Sequence, residues 1–167
     1  MTLNAATLQL FQSIETPILT QFFRLISIIA EPIVVLIVAM AISVNLYLTK
    51  RKSKAILLAS TSIFAGIVVT ILKKLIKSPR PLTCLVQETS YSFPSGHTTF
   101  AVVFCGLMVY LFSAAKNRTQ ANILAVLTIF IVALSRLYLQ VHWLTDIIGG
   151  LVIGSAILTL AIFIDKK

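Results

Sequence analysis

The sequence predicts an all-α protein: a multi-pass transmembrane bundle of about five spans, preceded by an amphipathic helix at the membrane interface. Three observations predict it. The 167 residues are 58% hydrophobic and 11% charged, with a mean hydropathy of +1.00, a composition foreign to soluble domains. Five segments approach the run of about 20 apolar residues that a spanning helix needs. No strand alternation, long linker, internal repeat or low-complexity tract interrupts them. Residues 1–167 therefore read as one integral membrane domain, with 1–30 as the interfacial helix and 31–167 as the bundle.

The N-terminus lacks the basic start and cleavage pattern of a signal peptide. Leu8, Phe11, Ile14, Ile18, Phe22, Leu25 and Ile29 recur instead at steps of three and four. Thr16, Thr20, Arg24, Ser27 and Glu31 follow the other face. This pattern predicts an amphipathic helix lying in the interface and bent near Pro17, with a sixth span packed on the bundle as the alternative. The spans themselves read as Pro32–Thr49, Ala55–Leu72, His97–Ala115, Ala121–Tyr138 and Trp143–Ile164.

The net charge of +9 does not form one basic patch, so nucleic acid is not an expected partner. Lys50, Arg51, Lys52 and Lys54, then Lys116 and Arg118, then Lys166 and Lys167 fall at alternate ends of the spans. In a five-span bundle these groups share one face, which the excess of cations makes cytoplasmic. Lys73, Lys74, Lys77, Arg80 and Arg136 lie at the opposite face and require another reason. Cys84 falls in a loop and Cys105 roughly 12 Å inside its helix, at about 1.5 Å per residue, so the two are poor disulfide partners.

Three polar clusters converge on the outer face. KKLIKSPRP ends the second span, SFPSGH leads into the third, and SRLYLQVHWLTD joins the fourth to the fifth. His142 and Asp146 are four apart at a helix start and so share a face. The carboxylate can fix the tautomer of the ring and free its other nitrogen as a nucleophile; a helix-start carboxylate pairing with an interfacial histidine explains the same spacing. Lys73, Arg80 and Arg136 are candidate phosphate binders, and Arg136 lies within an apolar segment where a cation needs an anionic partner. Snorkelling at a helix end accounts equally for some of Lys73, Lys74 and Lys77. Ser95 is placed to cap the third span, and Gly96 admits close approach to helix N–H groups that favour an anion. Gly150 and Gly154 have the spacing of close helix packing.

The three clusters resemble the signature of the type-2 phosphatidic acid phosphatase family, which also includes bacterial haloperoxidases and glucose-6-phosphatase. Its pattern is Lys-x6-Arg-Pro, Pro-Ser-Gly-His and Ser-Arg-x5-His-x3-Asp, matched here by Lys73 to Arg80-Pro81, by Pro94 to His97, and by Ser135-Arg136, His142 and Asp146. The resemblance implies that His142 attacks phosphorus to form a phosphohistidine, oriented by Asp146. It implies that His97 protonates the leaving oxygen and then activates water. Lys73, Arg80, Arg136, Ser95 and Gly96 would bind the phosphoryl oxygens, with no metal and no cofactor required.

The expected partners are a lipid phosphate substrate and membrane lipids, and the expected location is the cytoplasmic membrane with the site on its extracytoplasmic face. Phosphatidylglycerophosphate, phosphatidate and undecaprenyl diphosphate all fit. Transfer of the phosphoryl group to another acceptor, metal chemistry on a two-histidine, one-carboxylate triad, and a non-enzymatic anion-binding or channel protein are the alternatives. Many relatives carry an arginine where this chain has Ser78, and typical membrane members have six spans, so a first span is expected to be missing here.

Overall fold

The structure, a computed structural model, describes residues 2–167, and helices are the only regular secondary structure among them. Its helices are α1 (Leu3–Ser13), α2 (Pro17–Ile29), α3 (Pro32–Leu48), α4 (Lys52–Ile76), α5 (Gly96–Phe112), α6 (Arg118–Tyr138) and α7 (Leu144–Asp165), with a 3-10 turn at Ala115–Asn117 before α6.

The five predicted spans each correspond to one helix, but they are not equivalent. Helices α4, α6 with its preceding turn, and α7 are each long and apolar enough to cross a membrane. Helix α3 passes that test only together with α2, across a 42° bend. Helix α5, at 17 residues, is shorter than a full span. The shortness fits its position: α5 packs against α3, α4, α6 and α7, so it meets protein on most sides. Every residue from Gly96 to Val103 is buried, and Val103 and Leu107 join Ala39, Leu58 and Ala65 in the main core.

Residues 1–30, read from sequence as one bent helix, form two; Met1 lies outside the described residues. The break comes at Ile14–Thr16, where the Thr16 side chain accepts from the Leu19 N–H and Pro17 occupies the first turn of α2. Proline is tolerated there because that N–H has no intrahelical partner. The polar face of α2 turns inward, not toward water. Thr20 meets the Tyr138 hydroxyl at 3.3 Å, Arg24 donates to the Leu85 carbonyl and Ser27 is buried. Ile18, Phe22, Leu25 and Ile29 are exposed on the outer side. In a membrane that outer side meets lipid, so the same amphipathic stripe satisfies the opposite arrangement. Phe11 and Phe23 anchor the two helices on Tyr138, with ring centroids 6.4 and 4.6 Å away.

Close packing of α7 on α5 rests on the predicted glycine pair. A Cβ on Gly150 would stand 2.9 Å from the Ser95 carbonyl oxygen, and one on Gly154 would stand 2.8 Å from Val102 Cβ. Only glycine admits that approach, and it brings the start of α5 against the start of α7.

Candidate active site

Two helix ends and two connections build the site. Helix α4 ends at Lys77, in the left-handed conformation with φ 51°, where its N–H returns to the Lys73 carbonyl. Pro79 and Pro81 then hold the chain out of helix. The following loop is pinned by Ser92, whose N–H donates to the Ser78 carbonyl at 2.9 Å and whose hydroxyl donates to Ser78 Oγ and the Pro79 carbonyl. Ser78 thus serves as a tie within the loop. Helix α6 ends at Tyr138, and Gln140, with φ 57°, redirects the chain so that Val141 and His142 point back to the loop.

His142 is buried and sits between a carboxylate and a guanidinium. Its Nδ1 lies 3.2 Å from Asp146 Oδ2 and its Nε2 lies 3.3 Å from Arg80 Nη1. The carboxylate accepts the Nδ1 proton, so Nε2 keeps its lone pair and faces the cation. Burial first, then Arg80, Arg136 and Lys73, holds the ring well below the ordinary histidine range, which keeps it neutral. Asp146 also accepts the Trp143 N–H at 2.9 Å, so one carboxylate both caps α7 and orients His142. The helix-start pairing read from the sequence is present, and the same contact takes Nδ1 of the ring.

Arg80 and Arg136 converge on a residue that the sequence does not single out. Glu88 Oε2 accepts from Arg80 Nη2 at 3.3 Å, and Glu88 Oε1 pairs with Arg136 Nη2. Arg80 is further fixed by the Ser90 and Val141 carbonyls at 2.8 and 2.6 Å. Arg136 is only 1% exposed; its Nη1 donates to Ser27 Oγ, and its Nε has no partner among the described residues. An unpaired buried guanidinium N–H is costly unless an anion reaches it.

The remaining predicted residues lie around this core. Lys73 Nζ donates to the Tyr91 and Ser92 carbonyls and lines an open cleft of about 540 Å³ with Gly96, Val69 and Phe100. Ser95 is fully buried, and its hydroxyl accepts from the Thr98 N–H at 3.4 Å and Thr98 Oγ1 at 3.0 Å, so it serves the predicted cap. The Ser95 N–H donates to the Asp146 carbonyl at 3.1 Å, linking the two motif segments directly. His97 contacts neither His142 nor Asp146 by hydrogen bond; its Nε2 lies between the Ser27 carbonyl and Glu31. Among the described residues no three His, Cys, Asp or Glu side chains gather as metal ligands would. Cys84 and Cys105 are both free thiols.

Helical spans with a histidine–aspartate pair and three cations at one end define a multi-pass membrane protein. The profile of the PAP2 superfamily matches residues 54–167, which takes in every motif, and the chain belongs to that superfamily. It is 35% identical over 103 residues to phosphatidylglycerophosphatase B of Bacillus subtilis, covering 58% of this chain and 51% of that protein. It is 35% identical over 80 residues to an undecaprenyl-diphosphatase of Sulfolobus acidocaldarius, covering 48% of this chain and 36% of the other. The chain thus spans about half, or less, of the length of these curated relatives. Among solved structures, a transmembrane PAP2-type phosphatidylglycerolphosphate phosphatase from Bacillus subtilis superposes with a TM-score of 0.91 at 26% identity, over 98% of this chain and 85% of that one. LpxE of Aquifex aeolicus shares the fold, with a TM-score of 0.78 at 22% identity, over 98% of this chain and 96% of that one.

Proposed function

We propose that the protein is a metal-independent phosphatase that hydrolyses a lipid phosphate through a phosphohistidine on His142. One observation carries the reading: a buried, neutral imidazole whose Nδ1 is taken by Asp146 presents its Nε2 beside the Arg80 guanidinium. A nucleophile, its orienting carboxylate and a phosphate-binding cation are thereby assembled at one point. Arg80, Arg136 and Lys73 hold the phosphoryl oxygens in this scheme, and the free Nε–H of Arg136 is a donor left for them. Ser95 and Gly96 begin α5, whose dipole favours the anion. His97 supplies the leaving-group proton and then takes one from water.

The substrate class follows from the surroundings. The cleft beside Lys73 and Gly96 continues along Ile33, Leu36 and Phe100, a polar entrance above an apolar wall that suits a headgroup and its chain. Phosphatidylglycerophosphate, phosphatidate and undecaprenyl diphosphate are the candidates, the first and third in keeping with the names of the relatives. The cations at the α3–α4 turn, before α6 and after α7 favour the cytoplasm, which supports a site on the extracytoplasmic face of a single 1–167 domain. The test is phosphate release from those three lipids and a water-soluble ester by detergent-solubilised protein in the presence of a strong chelator. His142→Ala should lose all turnover and form no acid-labile phosphoenzyme. Full turnover by that variant, or activity that disappears with the chelator, would overturn the proposal; labelled acceptor in place of free phosphate would redirect it to transfer.

A further inference from the structure

His97 is gripped by a part of the chain that lies outside all three motifs. Its Nε2 stands 3.0 Å from Glu31 Oε2 and 3.2 Å from the Ser27 carbonyl. Both partners are acceptors, so Nε2 carries the proton and Nδ1 is left to exchange protons with a substrate. Nδ1 bonds nothing among the described residues.

The α2–α3 junction is shaped to make this contact. Pro32 disfavours a helical conformation at the residue before it, and Glu31 takes φ −55° and ψ 128°. The break releases Glu31 from the helix, and although it precedes α3 its side chain makes no capping bond. The carboxylate is 46% exposed and lines the cleft that also contains Lys73 and Gly96. Pro32 in turn packs against Gly96, with its Cγ 3.4 Å from the place a Cβ would occupy. Ser27, four residues back on α2, holds Arg136 through its hydroxyl and His97 through its carbonyl. One turn of α2 and the junction after it therefore touch both a phosphate-binding cation and the second histidine.

We propose that Glu31 is a positioning residue for His97, orienting the ring through Nε2–H and supporting the imidazolium that protonates the leaving group. The proposal rests on the phosphohistidine reading. In the first step His142 Nε2 bonds phosphorus as the ester P–O bond breaks; the leaving oxygen takes the electron pair and then the proton from His97 Nδ1. In the second, a water oxygen bonds phosphorus, its proton passes to His97 Nδ1, and the N–P electron pair returns to His142. Glu31 keeps its own charge throughout and acts only through the ring, in the manner of a carboxylate behind a catalytic histidine. The charged groups that act on His97 are Glu31 at the junction, Arg136 from α6 and Glu88 from the loop after α4, with His142 within electrostatic reach. Among the described residues Glu31 is the carboxylate that touches its ring.

Glu31→Gln removes the charge while keeping an acceptor of the same length. With an alkyl phosphate lipid, whose leaving group needs a proton, turnover should fall about tenfold or more; with p-nitrophenyl phosphate it should fall less than about threefold. The basic limb of the pH–rate profile should move down by about one pH unit, because the carboxylate no longer favours the protonated ring. Glu31→Asp should return the limb toward its wild-type position, which a purely structural role would not achieve. In a His97→Ala background Glu31→Gln should add nothing. Equal slowing of both esters, an unmoved pH limb, or full additivity with His97→Ala would overturn the assignment. A His142→Ala variant that still turns over refutes the phosphohistidine reading itself; an inactive His142→Ala beside an unaffected Glu31→Gln refutes only the role of Glu31.

Discussion

Gly150→Ala tests whether the packing of α7 on α5 sets the geometry of the site. The added Cβ would meet the Ser95 carbonyl oxygen at 2.9 Å and Thr98 Cβ at 3.0 Å, where ordinary contact begins at 3.4 Å. The deficit to the oxygen is 3.4 − 2.9, about 0.5 Å. That oxygen cannot retreat alone, because it accepts from the Thr99 N–H at 3.0 Å and from Thr99 Oγ1 at 2.9 Å. The start of α5 must move off α7, stretching the Ser95-to-Asp146 backbone bond of 3.1 Å. Overpacking of this kind costs about 1–3 kcal/mol, against which alanine recovers up to about 1 kcal/mol of helix propensity. A net loss of about 1–2 kcal/mol is expected. Catalysis should suffer more: a displacement near 1 Å is worth about a hundredfold, so a tenfold or greater fall in kcat is expected for half that shift. Thermal unfolding in detergent and lipid phosphate release give the two readouts. Gly154→Ala, one turn further along and equally crowded at 2.8 Å from Val102 Cβ, should match the stability loss with a smaller loss of rate. Gly66→Ala, whose Cβ meets only Phe100 Cζ at 3.5 Å, should leave the rate unchanged and keep or slightly raise stability. Wild-type turnover by Gly150→Ala would refute the claim that this contact positions the site.

Three further outcomes follow from the site. Glu88→Ala leaves Arg136, 1% exposed, with Ser27 as its remaining partner; because Glu88 itself is 23% exposed, the unfolding midpoint should drop by the equivalent of about 2–3 kcal/mol, toward the low end for a broken buried pair. Inorganic phosphate should restore part of that loss if the two arginines bind phosphate, and no recovery at saturating phosphate would count against it. The neutral state of His142 predicts a pH effect of definite sign. With its folded pKa depressed below an unfolded value of about 6.5, the folded protein binds fewer protons, so stability is present above that value and lost as the pH falls from it toward the folded pKa. Phosphoenzyme formation from p-nitrophenyl phosphate should accordingly persist at pH 6, and a half-maximal fall near 6.5 would show that the ring titrates normally. For orientation, in a Cys84→Ser, Cys105→Ser background, Leu82→Cys, at a position fully exposed in the site loop, should react with a membrane-impermeant thiol reagent from outside intact cells, whereas Lys50→Cys should not; the reverse pattern would invert the topology.

What the sequence discloses about this site depends on whether a residue's partner lies close along the chain. His142 and Asp146 share a helix face by spacing alone, and the 3.2 Å contact is the one their i, i+4 separation describes. Gly150 and Gly154 likewise announce close packing, though not the element they receive, which is α5. Glu88 gives no such signal. It is a lone acid in a loop, and its role between Arg80 and Arg136 exists only once the ends of α4 and α6 meet. The N-terminal segment shows a subtler limit. Its alternation of Thr16, Thr20, Arg24, Ser27 and Glu31 with an apolar face is plain in sequence, yet periodicity reports two faces without saying which is inside. In water the apolar face packs on protein; against lipid, the polar face can do so, and it does. The available clue was the position of Ser27 and Glu31 four apart before a proline, at a helix end where cations without partners were already accumulating. In a chain with five acidic residues, two of them, Glu31 and Glu88, bind those cations or the histidine beside them. Inside a bundle that faces hydrocarbon, unpaired charge is expensive enough that a scarce acid at the crowded end is itself evidence of a site.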